Sequence, residues 1–310
     1  MDATRTTVAL CTLLLGVAST MTSVCAASEA EPLGVATSAR SAAPHQLDPT
    51  QAILLRRWYS TVGPRRNDEA FGELTTRAAK VHLGSAYRNA PQTAAPETLR
   101  VNLETFQCVS LIESTLALAR CTWTDKRNEA CFLRELKAFR YRNGTMNTYS
   151  SRLHYFTDWI DDNMKRQRLV PLTAELGGEP VQQPFFFMTT HATHYPALAD
   201  PTVFQAIAHT ESQLSGRQHR VINGEELIAL KDALQDGDIV AVVGIKPGLM
   251  VTHVGFIDRG RDDVARILHA SSFHQQVILT AEDVAEHVSR HPARRGVIIA
   301  RPASPKERLR

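Results

Sequence analysis

The sequence carries no strong excess of charge. Its 35 Lys and Arg stand against 32 Asp and Glu, for a formal net charge of +3, too small to argue for a nucleic-acid partner. Beyond the first 26 residues no stretch is apolar for long enough to cross a membrane. No internal repeat is visible, so nothing points to a solenoid or propeller. Cysteine is scarce: of five, Cys11 and Cys25 lie close to the N-terminus, leaving Cys108, Cys121 and Cys131. What remains is a globular composition of 310 residues, 43% hydrophobic, enough to bury a sizeable core as one large domain or two lobes.

Residues 1–26 read as an export signal. Arg5, offset by Asp2, precedes an apolar run over 8–18, and Val24, Cys25 and Ala26 supply a cleavage site. The run is too short for a membrane span. Cys25 invites a lipid anchor, but Val24 before it suits lipoprotein processing poorly, so soluble export is the preferred reading. Residues 27–47, rich in Ala, Ser and Pro, read as a flexible lead-in, 48–302 as the folded domain, and 303–310 as a basic, mobile tail without assigned function. Within the domain the patterns predict helices over 51–58 and 68–83, the second ended by Gly84, and a loop over 88–96 forming one wall of a cleft. Residues 185–188 read as a buried strand, 225–234 as a helix and 296–300 as a closing strand.

The chain is organised around residues 101–120. After Cys108 the apolar residues Val109, Leu111, Ile112, Leu116, Leu118 and Ala119 fall at helical spacing, with Glu113, Ser114 and Thr115 on a more polar side. Cys108 therefore sits in a first helical turn, where unpaired N–H groups and the helix dipole favour a thiolate. A buried structural cysteine is the plain alternative from this stretch alone.

Two later stretches weigh on that choice. Residues 238–244 and 250–258 read as strands joined by a turn at Lys246-Pro247-Gly248. Alternation sets His253, Gly255 and Ile257 on one face and Val254 and Phe256 on the other. A third strand over 265–272 carries His269. A helix-start Cys, a strand His and a polar residue on the next strand are the parts of a nucleophile, a base and an orienting group.

At this point the sequence resembles a known family. Leu83-Gly-Ser-Ala-Tyr87, Val101-Asn-Leu, Phe106-Gln-Cys108, the segment from Arg152 to Trp159, Thr252-His-Val-Gly-Phe256 and Leu268-His-Ala-Ser271 resemble the N-acetylmuramoyl-L-alanine amidase-like family called DUF1460, a branch of the NlpC/P60 papain-like hydrolases of bacterial cell walls. The resemblance spans roughly 50–300. It implies an α+β, papain-like fold with helices on an antiparallel sheet and a Cys-His-His cleft. It makes Cys108 the nucleophile, His253 the base, His269 the orienting residue and Tyr87 a group near the thiol or oxyanion. It needs no metal or other cofactor, and its partner is peptidoglycan or a muropeptide. One departure is that Gln107 stands where such families usually carry Asp. The implied reaction is hydrolysis of the N-acetylmuramoyl-L-alanine amide in the periplasm. A γ-D-glutamyl endopeptidase, a non-catalytic wall-binding module, a zinc amidase and a lipid acyltransferase or thioesterase are the alternatives.

Further candidates come from the residues themselves. Arg152, His154, Tyr155, Asp158 and Trp159, with Gln107, are candidate substrate contacts, the counter-reading for 152–159 being an internal network. His191 and His194 have a spacing that could suit a metal, but Pro196 and the lack of a further ligand favour a role lining the cleft. Cys121 and Cys131 are candidates for a disulfide that leaves Cys108 free; two reduced, buried thiols are the alternative. His274, His287 and His291 show no partner pattern and are read as surface or packing residues.

Overall fold

A proline at the first position of a helix and an Asp just before it open the described chain: Asp48 Oδ1 accepts from the Gln51 N–H at 3.0 Å, capping a helix that starts at Pro49. The structure, a computed structural model, describes residues 46–89 and 96–306, all within one compact unit, Pro44–Arg310. The leader 1–26 with Cys25, nearly all of the lead-in 27–47, residues 90–95 of the expected cleft wall and 307–310 lie outside the described residues.

The helices are α1 (Pro49–Val62), α2 (Phe71–Lys80), α3 (Cys108–Trp123), α4 (Glu129–Arg140), α5 (Phe156–Lys165), α6 (Phe187–Thr190), α7 (Pro201–Ser215), α8 (Leu227–Leu230) and α9 (Val284–Ser289). The strands are β1 (Ala86–Tyr87), β2 (Thr105–Phe106), β3 (Leu169–Pro171), β4 (Glu179–Val181), β5 (His219–Asn223), β6 (Ile239–Gly244), β7 (Val251–Asp258), β8 (Arg266–Ser271), β9 (Gln276–Leu279) and β10 (Arg294–Pro302). They form one sheet in the order β2-β1-β9-β8-β7-β6-β10-β5-β4, with β3 also on β10. The pairings are antiparallel except β1 with β2, which run parallel.

The alternation expected for the central strands sorts two cores onto the two faces of the sheet. Val254, Phe256, Leu268 and Ala270 pack with Leu111, Ile112 and Leu116 of α3. Ile257, Ile267, Val240 and Val242 pack with Val284, Ala285 and Val288 of α9. Asp238 at the head of β6 is fully buried and receives both Arg301 Nε and Nη2, at 2.7 and 2.8 Å. The fold is α+β with helices on both faces.

Several local expectations change. The more polar side of α3 is buried as well, at Glu113, Ser114 and Thr115, and Glu113 accepts from Arg140 Nε at 2.7 Å. Residues 185–188 do not form a strand. The Phe185 N–H goes to Ser215 Oγ, and the Phe186 carbonyl accepts from Thr190 to open α6, leaving no ladder for a neighbouring strand. The start of the tail is docked, because the Ala303 N–H reaches Arg168 O and Lys306 reaches Gln167. Cys121 and Cys131 are joined in a disulfide, which ties the last turn of α3 to the first turn of α4. Among the described residues no helix is long and apolar enough to cross a membrane.

Candidate active site

Gln107 is extended (φ −102°, ψ 171°) and caps α3; its N–H is accepted by Ser110 Oγ at 3.0 Å, so the first turn closes on itself. Cys108 is then the first helical residue, part-buried and free. The backbone N–H groups of Cys108, Val109 and Val254 face its sulfur and favour the anion, while burial, the larger effect, pushes the thiol pKa up. The Val254 N–H belongs to the residue after His253, so β7 meets the thiol at that histidine's position.

The sheet brings His253 and His269 together by register. Phe256 pairs with Leu268 and Ile257 with Ile267; one step further along, Gly255 lies opposite His269, with His253 its diagonal neighbour on the same face. His253 Nε2 and His269 Nδ1 are 2.6 Å apart. Gly255 makes room for this pair. A Cβ there would stand 2.4 Å from Ile267 Cγ2, 2.9 Å from the Leu268 carbonyl oxygen and 3.1 Å from His269 Cβ. Just before His253 the β6–β7 register slips, Val242 pairing with His253 but Val243 with Val251, so Thr252 is an extra residue. A bulge at this point re-aims the side chain that follows it.

Burial lowers the basicity of both rings. The His253 pKa falls to about 4, first through desolvation and then through His287 and Arg294. The His269 pKa falls to about 2, through desolvation and then the neighbouring His253 and His287. At neutral pH both imidazoles are therefore uncharged in the resting site, and burial disfavours the Cys108 thiolate. Tyr87, in β1, is close enough for the Cys108 thiolate to raise its pKa, second to burial, and its hydroxyl donates to Asn89 Oδ1 at 2.9 Å. Chemically this gathers a thiol with backbone N–H donors at its sulfur and, starting from the strand whose backbone reaches that sulfur, two imidazoles in contact with each other.

Of the two readings of the segment 152–159, as substrate contacts or as an internal network, its side-chain partners belong to the second. Trp159 is fully buried against Phe156 and Phe139. Asp158 is buried and paired with Arg142 and Arg217. Tyr155 donates to Glu211 at 2.5 Å. Arg152 pairs with Glu97, and His154 Nε2 lies 2.9 Å from the Tyr149 carbonyl oxygen. The polar groups of Arg152, His154, Tyr155 and Asp158 are thus taken by internal partners, as buried polar groups usually are. His191 Nδ1 lies 2.7 Å from Phe187 O, its ring stacked toward His194. Among the described residues no group of three or more His, Cys, Asp or Glu is placed to hold a metal.

Two features of the site region are not legible in the sequence. His287, read as a surface or packing residue, lies with its ring 5.5 Å from that of His269, and Glu282 Oε1 is 2.6 Å from its Nδ1. His82 is fully buried between Trp58 and Phe106, with both ring nitrogens lacking a partner among the described residues. Glu282 and His287 are five apart around a helix start capped by Asp283; that cap was a readable signal for α9, but nothing in the sequence sets α9 beneath β8.

Comparison with known proteins adds to this geometry. Residues 78–297 match a family model described as AmiA-like, N-acetylmuramoyl-L-alanine amidase-like. A crystal structure of an N-acetylmuramoyl-L-alanine amidase from Bacteroides uniformis is similar at a TM-score of 0.70 and 26% identity, covering 76% of this chain and 99% of that one. A Bacteroides fragilis protein provisionally named a xylanase is similar at 0.67 and 27%, covering 72% and 98%. A Legionella pneumophila protein matched by the DUF1460 model shares the fold at a TM-score of 0.59 and 18% identity, covering 83% and 96%. No curated protein matches the sequence.

Proposed function

The chain belongs to the AmiA-like family of N-acetylmuramoyl-L-alanine amidase-like proteins, and from that premise we propose that it is a cysteine-dependent amidase of peptidoglycan, cutting between N-acetylmuramic acid and L-alanine. The observation that carries the cysteine chemistry is the free Cys108 at the start of α3, with the N–H of Val254 at its sulfur and the preceding residue of β7, His253, bonded to His269 of β8. On this reading the site is of the papain-like NlpC/P60 kind. The leader-like residues 1–26 support export to the periplasm, where the substrate is found.

In the proposed reaction His253 Nε2 is held by His269, which leaves Nδ1 to take the thiol proton. Because the resting pair is neutral, proton transfer accompanies attack rather than preceding it. The Cys108 sulfur bonds to the lactyl carbonyl carbon, and the Cys108 N–H stabilises the oxyanion, joined by the Tyr87 hydroxyl once it leaves Asn89. The C–N bond breaks as His253 returns its proton to the alanine nitrogen. His253 then deprotonates water, which hydrolyses the muramoyl thioester and restores the thiol. Glycoside hydrolysis instead requires two carboxyl groups across a cleft, whereas the groups gathered here are a thiol and imidazoles.

The test is mass spectrometry of products from sacculi and soluble muropeptides, comparing the chain with Cys108→Ala, with and without a chelator. The expected products are stem peptides with a free L-alanine N-terminus, absent with the variant and unchanged by chelator. Cleavage after γ-D-glutamate would keep the mechanism and change the bond. Release of xylose units and no muropeptide products would overturn the assignment.

A further inference from the structure

The proposed two-histidine relay leaves one proton without a destination. If His253 Nδ1 is to accept from the thiol, His253 must carry its own proton on Nε2 and donate it to His269 Nδ1 across 2.6 Å. His269 then bears its proton on Nε2. That nitrogen is buried and has no partner among the described residues, a costly state for an N–H donor.

The complementary orphan lies beside it. His287 is buried on the same face of the sheet, its ring 5.5 Å from that of His269 and inclined at 66°. Its Nδ1 is 2.6 Å from Glu282 Oε1. A carboxylate only accepts, so it fixes the His287 proton on Nδ1 and leaves Nε2 as a lone pair. His287 Nε2 is likewise buried and without a partner among the described residues. One orphan is a donor and its neighbour an acceptor, and their tautomers follow from the ends of the chain without further choice.

We propose that His287 and Glu282 are positioning residues that extend the relay to Glu282–His287–His269–His253–Cys108, His287 Nε2 accepting from His269 Nε2–H across one water molecule. This rests on the reading of Cys108 and His253 as nucleophile and base. The Glu282 carboxylate locks every tautomer down the chain and opposes the positive charge that builds on His253 as the thiolate forms. The other charged or titratable groups facing these residues are Arg294, whose guanidinium donates to the His287 carbonyl, Arg290 near Glu282, and His291 beyond α9 and His274 beyond β8. Arg294 works against protonation of the histidines, which leaves Glu282 as the anion that favours it.

The test uses alkylation of Cys108 by iodoacetamide across pH, read on the Cys108 peptide by mass spectrometry, so it needs no muropeptide. His287→Phe keeps the bulk and removes the acceptor; His287→Gln restores an acceptor oxygen; Glu282→Gln removes the charge at a partly exposed position and keeps the shape. Relative to the parent chain, alkylation near pH 7 is expected to slow roughly tenfold in His287→Phe. The loss should be smaller in Glu282→Gln and largely recovered in His287→Gln. All four should converge near pH 10, where the thiolate forms without help from the base. Rates unchanged at pH 7, or lowered equally at every pH, would overturn the proposal by ending the relay at His269 or reducing His287 to packing. If the parent chain cleaves no muropeptide while the alkylation profiles shift as described, the substrate assignment fails and the relay stands.

Discussion

Gly255 is the residue on which the geometry of the histidine pair depends, and Gly255→Ala perturbs it with a single methyl group. The added Cβ meets a carbonyl oxygen, Leu268 O at 2.9 Å, as well as Ile267 Cγ2 at 2.4 Å and His269 Cβ at 3.1 Å. The side-chain methyl can rotate away, but the carbonyl belongs to the β8 backbone and cannot yield without moving the strand. Overpacking of this kind costs about 1–3 kcal/mol, roughly 2–8 °C in melting temperature for a chain of this size. The same displacement pushes His269 away from His253, so turnover should fall by about tenfold or more, beyond any loss explained by unfolded protein. Gly216→Ala is the control: that glycine has φ −81° and a Cβ there would make only ordinary contacts, at 3.7 Å or more, with backbone oxygens. Thermal unfolding and muropeptide turnover would be measured for both. Gly255→Ala with the melting temperature and turnover of Gly216→Ala would refute the claim that this glycine sets the pair.

Two further expectations concern stability. Replacing Cys121 and Cys131 together by Ser opens a loop closed over a sequence separation of 10; the chain-entropy estimate is a loss of about 3 kcal/mol, measured by denaturant unfolding, with turnover retained because neither sulfur reaches the site. His82, with its pKa lowered to about 3 by burial alone, is neutral in the folded state and free to protonate near 6.5 when unfolded. Its contribution is therefore complete above about pH 6.5 and is lost as pH falls toward 3, amounting to about 2 kcal/mol by pH 5. His82→Leu should remove that share of the acid sensitivity in unfolding curves at pH 7 and 5; equal acid sensitivity in both proteins would contradict the assignment.

Much of the site's framework was readable because it rests on local rules. The apolar spacing after Cys108 placed the thiol in a first helical turn, and the alternation through 250–258 put His253 and Gly255 on one face. Tertiary partners were not readable. The more polar side of α3 gave no sign of its partner, Arg140, which arrives from α4 and pairs with Glu113. The dense polar segment 152–159 looks like a binding surface, and its partners Glu97, Arg142, Glu211 and Arg217 are all distant in sequence. His287 gains its meaning only from the packing of α9 under β8, which no periodicity records. Residues 185–188 misled because a run of three phenylalanines imitates a buried strand, whereas hydrogen bonds to Ser215 and Thr190 turn it into a loop and a short helix.

Attack of Cys108 on the muramoyl carbonyl leaves an intermediate that can be caught by acid-quenching the chain during turnover of a muropeptide and weighing the Cys108 peptide. The expected result is a thioester whose added mass is the muramoyl-containing acyl group, together with complete loss of turnover in a folded Cys108→Ala variant. A folded Cys108→Ala protein that releases stem peptides at the parent rate would contradict it.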